Sequence, residues 1–102
     1  MRTITGFTPL MDAAAFNDNP EVVQVLIEAG ANLEARTDSG FTPLMDAAGF
    51  STNPQVVIKL LEAGANVAAI NHEGKSAFDV IKMNDALKNS EAFWRLNEQR
   101  FN

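Results

Sequence analysis

Residues 6–39 and 40–73 are two copies of one 34-residue unit, identical at 21 of 34 positions without a gap. The first reads GFTPLMDAAAFNDNPEVVQVLIEAGANLEARTDS and the second GFTPLMDAAGFSTNPQVVIKLLEAGANVAAINHE. A third, degraded copy opens at Gly74. A unit of this length cannot bury its apolar face alone, so neighbouring copies must stack to build a shared core. Such a stack presents a surface and rarely encloses a reaction chamber.

The punctuation inside each unit spells helix, turn, helix, extended finger. Thr8-Pro9 and Thr42-Pro43 each join an N-cap hydroxyl to a proline at the first helical position, where a missing N–H is harmless. A short helix is predicted over 10–16 and again over 44–50. The alanine pairs Ala13-Ala14 and Ala47-Ala48 leave room for a neighbouring helix to come close. Asn19-Pro20 and Asn53-Pro54 start a second helix, striped by Val22, Val23, Leu26 and Ile27 and then by Val56, Val57, Leu60 and Leu61. Gly30 and Gly64 stop these helices. The stretches 31–41 and 65–75 carry turn residues at Asp38-Ser39-Gly40 and His72-Glu73-Gly74, which suit a projecting hairpin-like finger.

These residues resemble the ankyrin repeat. The family's TPLH-x-AA signature stands here as TPLMDAA at 8–14 and 42–48, and its EVVKLLL-x-x-GA segment as EVVQVLIEAGA (21–31) and QVVIKLLEAGA (55–65). Met11 and Met45 replace the family's histidine, so apolar packing must stand in for its hydrogen bonds. Glu34 and Ala68 sit where the family often has asparagine. Each unit is one residue longer than the usual repeat, in an NP-containing inter-helix loop of the kind common in bacteria. The resemblance implies an all-α solenoid of helix-turn-helix units with β-hairpin-like fingers. The expected organisation is one ankyrin repeat domain over 1–102: the tail of a finger (1–5), repeats at 6–39 and 40–73, and a closing repeat at 74–102.

In the closing repeat, Ser76 with Asp79 forms a capping-box pattern opening a helix to about Leu87. Ser90 can cap a final helix whose Trp94 is expected to pack in the cap. At the other end Met1–Thr5 align with Ala35–Ser39, with no helix pair before them. Two explanations fit: the chain is a fragment of a longer array, or a second copy covers the face built from residues such as Leu10, Val22 and Leu26. That face should be more exposed than its counterpart in residues 42–63, and a two-fold homodimer through it is expected at high concentration.

The resemblance further implies that partners bind the finger tips and the exposed side of the first helices. Those places hold Arg36, Asp38, Ser39 and Phe41, then Ile70, His72, Glu73 and Lys75, with Phe7, Asp12 and Asp46 as further candidates. Differing tip residues, such as Arg36 against Ile70, are better candidates for partner selection than repeated ones. Phe16 and Phe50 share this strip, but their identical recurrence is expected to reflect packing between units. Asp12 and Asp46 suit either solvation of a helix surface or the positive end of a nearby helix.

Composition narrows the function. Residues 1–73 carry three basic and nine acidic groups, and residues 74–102 five basic and four acidic. An acidic repeat region repels phosphate backbones, which disfavours nucleic acid and favours a basic or neutral protein partner. Cysteine is absent and His72 is the single histidine, so no metal site or cofactor is expected. No apolar run reaches the roughly 18 residues of a membrane span, and no signal-peptide stretch is apparent, so a cytoplasmic protein is the expectation. No catalytic constellation is present in the sequence. A non-catalytic protein-interaction module is therefore expected, with a terminal or structural segment of a longer ankyrin array as the alternative.

Overall fold

The computed structural model describes residues 8–17 and 19–99, where six helices and no β-strand are formed. Phe7 and the segment Met1–Thr5 lie outside the described residues. The helices are α1 (Pro9–Phe16), α2 (Pro20–Glu28), α3 (Pro43–Phe50), α4 (Pro54–Glu62), α5 (Ala77–Ile81) and α6 (Glu91–Gln99). They stack in two rows, α1 on α3 on α5 and α2 on α4 on α6, with each pair also packed across the rows.

Each start signal works as its chemistry demands. Thr8 and Thr42 hold extended backbone angles and accept hydrogen bonds from the Met11 and Met45 N–H groups. The Asn19 and Asn53 side chains accept from Glu21 and Gln55 N–H, both at 2.9 Å. The stops are equally regular. Gly30 (φ 94°) and Gly64 (φ 97°) take the left-handed conformation that a Schellman ending requires. The N–H of Ala31 then reaches the Leu26 carbonyl, and that of Ala65 the Leu60 carbonyl, each at 3.1 Å.

Close approach of the inner row depends on small residues. Ala14, Ala47 and Ala48 are wholly buried. At Gly49, which replaces Ala15 of the first unit, an added Cβ would stand 2.8 Å from Val80 Cγ1, so α5 lies against α3 where a side chain would be. Met11 and Met45 are buried as apolar fillers, and Met11 Sδ also takes the Thr8 N–H at 3.4 Å.

The closing unit departs from expectation in length. The helix opened by Ser76 ends at Ile81 and does not run to Leu87. Its capping box forms, and the bond from the Ser76 N–H holds the Asp79 carboxyl below its usual pKa. Asn84 accounts for the early stop: its Oδ1 accepts from Ala86 N–H, and its Nδ2 donates to the carbonyls of Ala48 (3.0 Å) and Ser51 (2.9 Å). An asparagine oxygen that takes the N–H two residues on competes with helical bonding there. Ser90 begins α6 as expected, accepting from Phe93 N–H at 3.3 Å. Trp94 packs in the cap, but at its surface. It is 52% exposed and stands edge-on to Phe93, which packs against Phe78.

The N-terminal face is also mixed. Leu10 is 1% exposed, like its counterpart Leu44, contrary to expectation. Val22 and Leu26 are half-buried where Val56 and Leu60 are fully buried.

Candidate functional site

The two fingers lie side by side and are bonded to each other. His72 N–H donates to the Ser39 carbonyl at 3.0 Å, and Asn66 N–H to Glu34 Oε2 at 3.0 Å. Gly40, at φ 85°, makes this approach possible, because a Cβ there would meet His72 Cδ2 at 2.9 Å. Arg36 spans the junction: one guanidinium nitrogen donates to the Gly40 carbonyl (3.1 Å) and the Ile70 carbonyl (2.7 Å). Expected to select a partner, Arg36 thus fastens one finger to the next, although its side chain remains exposed.

Beneath the fingers runs a groove with two hollows. The first, of about 230 Å³, is bounded by Phe16, Phe41, Phe50, Thr37, Ser39 and Asp46. The second, of about 210 Å³, shares Phe41 and Phe50 and adds Asn71, Glu73, Lys75 and Met83. Ser39, Phe41 and Asp46 therefore meet in one hollow, and Phe41, Glu73 and Lys75 in the next. Asp38, Ile70 and His72 stay exposed on the fingers outside both. Asp12 is exposed and borders a different hollow, together with Phe16, Val22 and Leu26.

Two corrections follow from the geometry. Phe16 and Phe50 are 67% and 57% exposed, so their recurrence does not reflect burial. They pack on one another across the repeat, ring centroids 6.3 Å apart, at the groove surface. Asp46, expected either to solvate a helix surface or to face the positive end of a nearby helix, is only 4% exposed, which rules out solvation. Its Oδ2 has no hydrogen-bond partner, and burial pushes its pKa up from 3.8 to about 7. In the second hollow Asn71 is likewise 4% exposed. Its Oδ1 accepts from Glu73 and Lys75 N–H, but its Nδ2 has no partner.

Met83 (66% exposed) and Asn71 were not among the sequence candidates. Helical geometry does carry a signal for Phe50. Leu44, Met45, Ala47 and Ala48 occupy one side of α3, and Asp46 and Phe50, four residues apart, share the opposite side.

Among the described residues, no helix is long and apolar enough to cross a membrane, and no cluster of three or more His, Asp or Glu could hold a metal. A family model for ankyrin repeats in three copies matches residues 1–71, and the chain belongs to the ankyrin-repeat family. Ankyrin repeats are in general protein–protein interaction modules and typically non-catalytic. No curated protein matches the chain.

Proposed function

We propose that this chain is a non-catalytic module of one domain over 1–102 that holds a protein partner in the groove between its fingers and α1, α3 and α5. The observation that carries this reading is the exposed apolar row of Phe16, Phe50 and Met83, set beside two hollows. Large aromatic groups left in water beside shaped hollows are what a partner's side chains can bury. The excess of acid over base in residues 1–73 favours a basic partner, and a cytoplasmic setting accords with the composition.

Capture of partners from source lysate by the native chain and by a Phe16→Ala/Phe50→Ala variant tests the reading. The native chain should retain a partner that the variant loses. Equal recovery would turn the interpretation to a structural segment of a longer array.

The groove need not be the one contact surface. Val22 and Leu26 are half-buried on the N-terminal face while Val56 and Leu60 are covered, which favours a second copy of the chain meeting that face. Light scattering over a concentration series should show mass rising toward a dimer. A constant monomer mass at millimolar concentration overturns this part of the proposal.

A further inference from the structure

We propose that the hollow between Phe16, Phe41 and Phe50, with Asp46 at its floor, takes the unmodified lysine side chain of a partner polypeptide. This rests on the groove being the partner-binding surface and adds the chemistry that the groove selects. The hollow is apolar on its walls and carries one buried acidic side chain whose Oδ2 lacks a partner. A buried carboxylate without a partner is a costly arrangement, and a cation brought to it relieves that cost. Asp12, the same residue 34 positions earlier, is exposed and borders no such aromatic trio.

Lysine fits this hollow better than arginine. Its aliphatic stem can lie along the phenylalanine rings while a compact ammonium meets a single carboxylate. Arginine's planar fork gains most from a bidentate approach to both carboxylate oxygens, which the enclosed Asp46 disfavours. The rings of Phe16 and Phe50, largely exposed at the mouth, can add cation–π attraction. In the next hollow the unpartnered Asn71 Nδ2 offers a donor to a carbonyl of the same partner segment.

The charged groups on the elements packed around α3 are Asp12 on α1, Lys59 and Glu62 on α4, and Asp79 on α5. The fingers add Glu34, Arg36, Asp38, His72, Glu73 and Lys75. None of them shifts the Asp46 carboxyl, whose raised pKa comes from burial alone. Lysine binding should therefore weaken as Asp46 takes up its proton, by roughly tenfold between pH 8 and pH 6.

The test is an NMR titration of the full chain with the pentapeptide acetyl-Gly-Ser-Lys-Ser-Gly-amide. Parallel titrations use the same peptide with norleucine, Nε-acetyl-lysine or arginine in place of lysine. Lysine should give saturable shifts at the amides of 37–41 and 46–50, and norleucine and acetyl-lysine none. Arginine should bind at least several-fold more weakly. Asp46→Asn, its fold verified by the same spectra, should abolish the lysine shifts. Equal shifts with norleucine, persistence in Asp46→Asn, or no saturable shift overturns the proposal. If Phe16→Ala/Phe50→Ala loses its partner while lysine fails to bind, the groove stands and the lysine pocket falls. If lysine binds at Asp46 while that variant keeps its partner, the pocket stands and the wider groove falls.

Discussion

Replacing Asp46 with asparagine should make the protein more stable at pH 8 than the native chain, with the advantage shrinking as the pH is lowered toward 4. Below the ordinary carboxyl pKa of 3.8, Asp46 is protonated whether the chain is folded or not, and contributes no difference. Between that value and about 7 the unfolded chain has released the proton while the folded chain keeps it. Folding is then penalised by about 1.4 kcal/mol for each pH unit. Above pH 7 the penalty is complete, on the order of 4 kcal/mol, and Asp46 is buried enough that solvent screening relieves little of it. For a chain of this size each kcal/mol moves the melting temperature by roughly 4–8 °C. Asparagine keeps the shape but does not titrate; any cost of its own amide is independent of pH. The result to read is therefore the change with pH of the gap between the two variants. Melting curves at pH 4.5, 6 and 8 measure it, and a constant gap would show that Asp46 is ionised at ordinary pH in the folded chain.

A second large effect is expected from one change made twice. Leu26 and Leu60 occupy the same place in successive units, but Leu60 is fully buried and Leu26 only half-buried. Leu60→Ala should cost about 2–5 kcal/mol, because the stack on both sides limits how far the cavity can collapse. Leu26→Ala should cost about half as much, since less apolar surface returns to water. Urea unfolding of the two variants gives the difference directly. Equal losses would mean that the N-terminal face is as well packed as the middle of the stack.

Much of the scaffold was legible because its signals are local. Thr8, Thr42, Asn19, Asn53 and Ser76 bond to backbone groups two or three residues away, and Gly30 and Gly64 act within one turn. Nothing distant needs to be known to read them. What was missed depends on contacts between units. Asp12 and Asp46 are the same residue in the same local sequence, yet one is exposed and the other buried, because α1 and the first finger cover only the second. The recurrence of Phe16 and Phe50 does mark packing between units, but it does not say whether that packing is buried. Recurrence records a repeated contact, and here that contact lies at the groove surface. Arg36 also fastens the scaffold in a way its own unit does not reveal, because the Ile70 carbonyl it meets at 2.7 Å lies 34 residues away. Asn84 likewise makes contacts its own unit does not reveal, to the carbonyls of Ala48 in α3 and of Ser51 just beyond it.

Near-identical units also pose a problem of order. While folding, a chain that repeats itself can dock the right kind of helix pair in the wrong slot, at little loss of apolar contact. The polar bonds between units remove that degeneracy. The two carbonyls at the end of α3 are met by Asn84, whereas the residue at the corresponding place in the second unit, Phe50, has no donor to offer them. Glu34 receives Asn66 N–H where the next unit has only Ala68, and Arg36 reaches across where the next unit has Ile70. Each of these singular side chains works as an address, so that the sequence of units in space follows their sequence along the chain. The bonds of Glu34, Arg36 and Asn84 thus favour the native order of the units, while the shared residues make every unit able to stack.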